Sequence, residues 1–256
     1  PHILIPPSEQ DPLKSLMSTR VGTGEVVVEV SLPMPLPAKN VVGVIKGTDP
    51  ALSQEYIAVT AHYDHVGVNK ASAQDSIFNG ARDNAIGTTA LIQVAKFFAS
   101  HPTKRSILLI AVTGEEKGLL GSRWYSDHPV IPLNKTVFNL NCDGAGYNDT
   151  SIATIIDFNR TTADELLKTA CSQAGLLLQG DPVPEQGLYD RSDNVNFARK
   201  GVPAVNISPG IKSFDQELMK YYHQPADEVG TLDMNYLVKF YRPADDNTSS
   251  IPDQMI

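Results

Sequence analysis

The sequence is poor in cysteine and in positive charge. Its 256 residues include 2 cysteines, Cys142 and Cys171, and they do not have the CxxC spacing of a zinc ribbon or a redox motif. We therefore expect two partly buried free thiols and no disulfide framework. Lysine and arginine number 21 against 29 aspartates and glutamates, so the net charge is −8 and the pI is near 5.2. This balance argues against nucleic acid and against an anionic membrane surface as partners.

Long apolar runs are also missing. The longest, Ile107 to Val112, suits a buried strand and is far too short to cross a bilayer. Proline is unevenly spread, because seven prolines fall within the first forty residues. No internal repeat and no linker rich in glycine and serine follows them. We therefore expect a proline-rich lead-in over residues 1–39, one domain over residues 40–243, and a frayed tail over residues 244–256.

From Asn40 onward, short β-branched runs alternate with helical patterns, which is typical of βαβ units around a largely parallel sheet. The fold class is therefore α/β. The predicted strands are Val41 to Lys46, Tyr56 to Ala61, Ser106 to Thr113, Val137 to Cys142, Ile152 to Asp157 and Ala204 to Ser208. The predicted helices are Asn84 to Ser100, Gly121 to Asp127, Thr162 to Ala174, Asn194 to Arg199 and Leu232 to Tyr241.

Histidines and carboxylates cluster where predicted strands end, which is the edge at which open α/β sheets bind ligands. Taken singly, each has an ordinary explanation as a helix cap or a solvated loop charge. Taken together, two histidines and three carboxylates without a thiolate form a set that catalytic zinc accepts. Three carboxylates and a bridging hydroxide would neutralise two Zn²⁺ ions. The residues that follow predicted strands directly are His62, Asp64, Glu115, Glu116 and Asp143. Asp83 lies just before the predicted helix from Asn84, and His223 lies in a loop after the strand Ala204 to Ser208.

Six motifs in this order resemble the co-catalytic dizinc exopeptidases, the family of bacterial zinc aminopeptidases and glutamate carboxypeptidase-like peptidases. The resemblance covers roughly residues 40 to 240 and implies a three-layer α/β sandwich, with a mixed, mostly parallel central sheet and helices on both faces. The motifs are AHYDHVG from Ala61, NGARDNAIGT from Asn79, TGEEKGLLGS from Thr113, NCDGAG from Asn141, DRSDNVNFARKGVPA from Asp190 and YHQPADE from Tyr222.

The resemblance implies two zinc ions per chain and assigns the residues that bind each ion. Asp83 would bridge the two ions, with Glu116 and His223 completing one site and His62 and Asp143 the other. It also implies that the peptide bond between Asp83 and Asn84 is cis.

Three further residues receive roles from the resemblance. Asp64 would orient the imidazole of His62. Glu115 would be the general base, and an extended segment would let it point away from Glu116. Tyr189 would steady the oxyanion of the tetrahedral intermediate. The histidines outside these roles, His65, His101 and His128, are expected to be solvated.

The function implied is that of a zinc metallopeptidase, an aminopeptidase that acts on peptides with a free amino terminus through a water activated by two metal ions. A carboxypeptidase stays open, because Arg82, Arg191 and Lys212 lie in or near the motif loops and a cation could hold a substrate carboxylate. A glutaminyl cyclase would use one zinc. A receptor-like ectodomain without catalysis would be expected to lack ligands, and all five are present.

The resemblance also sets expectations for the cellular context. Many relatives are secreted or periplasmic, and we expect the same here. The opening residues, PHILIPPSEQ, weakly resemble the closing strand of a protease-associated domain, so residues 1–39 are interpreted as a possible remnant of such a domain.

Overall fold

A seven-stranded mixed sheet forms the centre of the computed structural model, which describes residues 37–69, 75–156 and 158–242. In chain order the strands are β1 (Val41–Ile45), β2 (Tyr56–His62), β3 (Gly67–Val68), β4 (Ile77–Phe78), β5 (Ser106–Val112), β6 (Thr136–Cys142), β7 (Ile152–Ile156), β8 (Leu177–Gly180) and β9 (Ala204–Pro209). The large sheet has the order β1-β5-β2-β6-β9-β7-β8, and β3 pairs with β4 in a separate hairpin.

The four central strands, β5, β2, β6 and β9, run parallel to one another. The outer strands reverse direction, because β1 is antiparallel to β5 and β7 is antiparallel to β9, with β8 parallel to β7. The carboxyl ends of the four central strands therefore lie along one edge of the sheet. Ligand sites of open α/β folds occur at such an edge.

Helices cover both faces of the sheet. They are α1 (Ile86–Ser100), α2 (Leu120–Asp127), α3 (Asp164–Gln173), α4 (Asn194–Ala198), α5 (Gln216–Met219) and α6 (Met234–Phe240). Tyr125 of α2 and Phe197 of α4 pack with Leu108 on one face, while Leu91 of α1 packs with Ile107 on the other. Successive residues of β5 thus serve opposite layers, as strand alternation requires. The predicted α/β sandwich with a mixed sheet is confirmed.

Most predicted elements are present, with ends that differ by one or two residues. The long helix α1 begins at Ile86 and not at Asn84, because Asp83 and Asn84 have non-helical backbone angles. The Asn84 side chain accepts the amide of Gly87 at 3.0 Å and donates to the carbonyl of Cys142 at 3.0 Å, so it ends the irregular turn. The short elements β3, β4, β8 and α5 had no sequence prediction.

Both cysteines are free and buried, which confirms the expectation for Cys142 and Cys171. Among the described residues, no helix combines the length and the apolar character that a membrane span requires. The proline-rich lead-in lies outside the described residues up to residue 36, and the predicted tail lies wholly outside them. The elements from Val41 to Phe240 all fall within the predicted domain of residues 40–243.

Candidate active site

A cleft of about 390 Å³ opens at the carboxyl edge of the parallel strands. Its acidic lining consists of Asp83, Glu115, Glu116, Asp143 and Asp190, and its apolar lining includes Leu119, Ile156, Leu188, Ile211 and Phe214. Arg191 is the one lysine or arginine among the described residues of this lining. The cleft therefore combines a strongly negative floor with an apolar wall.

One half of the acidic floor rests on strands, and we call His62 and Asp143 the strand-borne half. His62 is the last residue of β2, and Asp143 follows the end of β6. The Nε2 atom of His62, whose side chain is 1% exposed, lies 3.1 Å from Oδ1 of Asp143 and 3.3 Å from Oδ1 of Asp83. The Ser192 hydroxyl donates a short hydrogen bond to the other carboxylate oxygen of Asp143. This half is therefore buried and braced by the sheet.

The other half stands on loops, and we call Glu116 and His223 the loop-borne half. The Nε2 atom of His223 lies 3.1 Å from Oε2 of Glu116 and 3.2 Å from Oδ2 of Asp83. The side chain of His223 is 36% exposed, and its backbone has the left-handed φ of 54°. The two oxygens of Asp83 thus face the two halves separately, one each.

The pKa values of these groups indicate that the cluster favours positive charge. Hydrogen bonds to Asp83 and Glu116 raise the pKa of His223 to about 10. Burial opposes the charged form of His62, but Asp143 and Asp83 outweigh burial and raise the pKa of His62 well above its usual range. Burial favours a neutral Glu116, yet its contact with His223 lowers the pKa of that carboxyl to about 2. Such a site is suited to a bound cation.

The ligand geometry also fits zinc. Nitrogen and oxygen atoms that share one tetrahedral zinc, at about 2.0–2.2 Å from it, lie about 3.3 Å from each other. The separations in the two halves, 3.1–3.3 Å, agree with that figure. His62, Asp83 and Asp143 form a candidate metal-binding group, and Asp83 and Glu116 belong to a second. The residues present therefore fit zinc, with Asp83 common to both groups. The peptide bond between Asp83 and Asn84 is cis, as expected.

Asp64 contacts both halves of the cluster through different atoms. Its backbone carbonyl, and not its carboxylate, is close to Nδ1 of His62, at 3.1 Å against 3.9 Å. The carboxylate instead accepts the backbone amides of Glu115 at 3.2 Å and Glu116 at 3.3 Å. Asp64 therefore contacts His62 through its backbone carbonyl and not through the carboxylate that the resemblance implies, and its carboxylate holds the following turn.

Glu115 and Glu116 point in different directions, but the local structure is a turn and not the extended segment that we expected. The amides of Gly118 and Leu119 both donate to the Glu115 carbonyl at 2.9 Å, which closes the turn directly after β5. Glu116 reaches His223, while Glu115 lines the cleft. Burial, with the nearby charge of Asp143, raises the pKa of Glu115 to about 9.

Tyr189 is not brought into the cleft. Its side chain is buried, and its hydroxyl donates to the backbone carbonyl of Ala204 at 3.1 Å. Tyr222 lines the cleft instead, stacks on the ring of His223 with centroids 4.1 Å apart, and accepts a hydrogen bond from Arg191 at 3.2 Å. Its position in the motif YHQPADE, directly before a predicted ligand, was the signal available in the sequence.

Besides Tyr222, two further residues outside the predicted set belong to the site, His65 and Asp227. His65 is expected to be solvated, but its side chain is 9% exposed and its Nδ1 lies 2.9 Å from Oε1 of Glu116. His101 and His128 are exposed, as expected. Asp227 is fully buried and accepts the backbone amides of Arg82 at 2.9 and 3.0 Å and of Asp83 at 3.2 Å.

Of the three cations considered for a substrate carboxylate, Arg191 alone lines the cleft. Arg82 is buried between the rings of Tyr147 and Tyr221, at 4.3 and 4.0 Å from their centroids, and donates to the carbonyl of Thr231 at 2.7 Å. Lys212 is exposed, with its Nζ 3.9 Å from Asp149.

An α/β sandwich whose parallel edge carries converging histidines and carboxylates is typical of metal-dependent hydrolases. The model of peptidase family M28 matches residues 40–244, so the chain belongs to that family. Aminopeptidase YwaD of Bacillus subtilis is 29% identical over 201 residues, which are 75% of this chain and 40% of YwaD. This membership confirms the predicted family and the predicted class of enzyme.

Solved structures agree with this assignment. A zinc aminopeptidase from Bacillus subtilis has a TM-score of 0.61 and 26% identity, covering 79% of this chain and 47% of that one. A glutaminyl cyclase from Bacteroides thetaiotaomicron, solved with N-acetylhistamine, has a TM-score of 0.59 and 20% identity, covering 79% of this chain and 74% of that one. At 20% identity, the likeness to the glutaminyl cyclase concerns the fold alone. The chain spans less than half the length of the two Bacillus subtilis relatives.

Proposed function

We propose that the protein is a dizinc aminopeptidase, which releases amino-terminal residues from peptides. The observation that carries this proposal is the arrangement at Asp83, whose two carboxylate oxygens face the strand-borne and the loop-borne halves separately. A carboxylate so placed suits a bridge between two ions. His62 and Asp143 would hold one zinc, and Glu116 and His223 the other. Bound zinc would supply a Lewis acid and a water of lowered pKa.

Glu115 is the proposed general base. It lines the cleft and contacts neither half as a ligand, so its carboxylate is available for proton transfer. Its raised pKa reflects burial beside Asp143. With zinc bound, the pKa of Glu115 would fall toward the range in which a carboxylate can take a proton from water and return it to the leaving amine.

The lining of the cleft supports a free amino terminus as the group that is recognised. A protonated amine is attracted by Glu115 and Asp190, the two carboxylates of the lining that would not hold zinc. The apolar wall at Leu188, Ile211 and Phe214 suits an apolar first side chain. Arg191 favours the carboxypeptidase alternative, because it could pair with a substrate carboxylate. Its guanidinium, however, already donates to Tyr222, and Glu115 and Asp190 add negative charge to the same lining.

Hydrolysis rates on a panel of aminoacyl p-nitroanilides, compared with N-blocked peptides, test the proposal. We expect cleavage of substrates with free amino termini, fastest for apolar first residues, and loss of cleavage after treatment with a chelator. Cleavage of N-blocked peptides from their carboxyl ends would favour the carboxypeptidase. Cyclisation of amino-terminal glutamine without peptide hydrolysis would favour the glutaminyl cyclase.

We also propose that the protein acts outside the cytoplasm, secreted or periplasmic, and that a protease-associated domain precedes residue 40. Both proposals rest on the resemblance of the motifs. Fractionation of the source cells tests the first, and we expect the activity in the exported fraction. The complete reading frame tests the second, where we expect a β-rich stretch of about a hundred residues, the size of a small domain.

A further inference from the structure

The imidazole of His65 lies beside the loop-borne half, for which the family resemblance assigns a single histidine, His223. The side chain of His65 is nine-tenths buried, and its Nδ1 is 2.9 Å from Oε1 of Glu116. Its ring also meets the ring of His223 edge-on, with centroids 5.7 Å apart. His65 therefore shares the space in which Glu116 and His223 converge.

The contact between His65 and Glu116 has the distance of an ion pair but not the geometry of a directed hydrogen bond. Both ring nitrogens of His65 and Oε1 of Glu116 are buried without a hydrogen-bond partner. Buried polar atoms that lack a hydrogen-bond partner are destabilising, so another partner is expected for these three atoms. Atoms of His65, Asp83 and Glu116 all lie within 4.8 Å of one another, a spacing that one metal ion can span.

The position of the His65 ring is set by close packing against the loop that carries Asp83. Gly80 in that loop has a left-handed φ of 65°, and a Cβ built on it would lie 2.7 Å from Cγ of His65. The absence of a side chain at Gly80 thus makes room for the imidazole. The same Cβ would lie 2.4 Å from the backbone carbonyl of Asp83, so ring and shared carboxylate are held by one tight turn.

We propose that His65 is an additional metal ligand of the loop-borne half, joining Asp83, Glu116 and His223. The inference rests on the proposed metal centre. A bound ion would satisfy the unpaired Nδ1 and the unpaired Oε1 of Glu116 together. It would also anchor the exposed side of the centre, where His223 lacks the support of a strand.

Zinc titrations of the 256-residue chain in competition with a chromogenic chelator test this proposal. The variants are His65→Ala, His65→Asn and, as the matched control, His128→Ala, which removes an exposed imidazole stacked on Trp124. We expect wild type and His128→Ala to bind two ions with equal affinities. We expect His65→Ala to weaken one of the two sites by more than about tenfold, since removing even an outer partner of a ligand has an effect of that size.

The asparagine variant separates a ligand from a hydrogen-bond donor. Its amide can donate to Glu116 but binds zinc poorly, so we expect His65→Asn to remain as weak as His65→Ala. The visible spectrum of the Co²⁺-loaded protein should change in both variants. Thermal unfolding of the metal-free variants checks that each is folded.

Two results would overturn the proposal for His65. One is zinc affinities of His65→Ala within twofold of wild type, and the other is recovery of affinity in His65→Asn. If the proposed dizinc function is wrong, the wild-type protein would bind fewer than two ions. This result differs from those that would overturn the role of His65. If wild type binds a single ion, the role of His65 is supported by a weaker affinity of His65→Ala for that ion and overturned by an unchanged one.

Discussion

The two halves of the metal centre are built in different ways. In the strand-borne half, His62 and Asp143 stand at the ends of β2 and β6, and the side chain of His62 is 1% exposed. In the loop-borne half, His223 is 36% exposed and Glu116 stands in a turn. The sheet therefore positions the first half, whereas the second half depends on contacts between separate loops.

Buried hydrogen bonds extend the support of the strand-borne half across the sheet. Thr60 of β2 donates to Asn141 of β6 at 2.6 Å, and Asn141 donates to Ser192 at 2.8 Å and to Asn206 of β9 at 3.1 Å. Ser192 in turn donates to the carboxylate of Asp143. Each link is buried, where a satisfied polar network is rigid.

The buried carboxylate of Asp227 gives the loop-borne half a comparable support. Asp227 lies four residues beyond His223, and its carboxylate accepts the amides of Arg82 and Asp83. The loop that carries His223 is thereby tied to the loop that carries the shared ligand. The comparison predicts that single changes in the two halves have unequal effects.

The largest effect is expected at Glu115, which belongs to neither half. Glu115→Gln removes the general base and keeps the shape of the side chain, so turnover should fall by about 10² to 10⁴-fold while both ions stay bound. Kinetics with metal analysis checks this. Glu116→Gln is the paired variant, and it should lower metal affinity as well as turnover. Full activity in Glu115→Gln would assign the base to another group.

The next largest effect is expected in a comparison of His62→Ala with His223→Ala. Both should lose metal. The metal-free His62→Ala protein should also lose about 2–4 kcal/mol of unfolding free energy, because a cavity and unpaired carboxylates remain inside the sheet edge. The loss in His223→Ala should be less than half as large, since water enters the exposed site. Urea denaturation of the metal-free proteins measures both, and equal losses would remove the distinction between the halves.

A smaller effect is expected from Asp227→Asn. One oxygen acceptor for the amides of Arg82 and Asp83 is lost, so zinc affinity should fall by about tenfold, the lower end for outer partners of a metal ligand. Asp233→Asn is the control, because Asp233 also accepts a backbone amide, that of Tyr236 at 3.0 Å, at the start of α6. Zinc titrations should show no change in the control. Equal affinity in both variants would limit Asp227 to a structural role.

The strand-borne half could be predicted from the sequence because its two residues follow runs with a recognisable strand pattern. A run such as Tyr56 to His62 predicts a strand, and parallel strands end at a common edge, so His62 and Asp143 could be brought together without coordinates. The match to motifs then supplied Asp83, Glu116 and His223, whose loops follow no periodic pattern.

What the sequence could not reveal depends on contacts between distant loops. The burial of His65 follows from its packing on Gly80, and the position of the Tyr189 hydroxyl follows from its contact with Ala204 in β9. The start of α1 is displaced because the side chain of Asn84 bonds to Cys142, 58 residues away. None of these partners is marked by spacing or residue type.

The smallest effect is the pH dependence of stability, which compares the two halves by the charges of their side chains. In the metal-free protein, Asp83 and Glu116 raise the pKa of His223 to about 10 from an ordinary value of 6.5. A raised pKa means that the stabilisation is complete below pH 6.5 and is lost as the pH rises toward 10. Burial raises the pKa of Glu115 to about 9, so ionisation of this carboxyl destabilises the folded protein increasingly between pH 4.5 and 9, which lowers stability in the same direction.

We therefore expect the metal-free protein to unfold at a lower temperature at pH 9 than at pH 6, while zinc should stabilise it more at pH 9, because ligands must release protons to bind metal. Thermal unfolding at both pH values, with zinc buffered by a chelator and without zinc, measures the two slopes. His223→Gln should flatten the metal-free slope. The slope that remains includes the titrations of Glu115, of His62 and of Asp193, because burial raises the pKa of Asp193 to about 7. A metal-free protein equally stable at pH 6 and pH 9 would show that the histidines of the two halves do not carry the charge that balances the carboxylates.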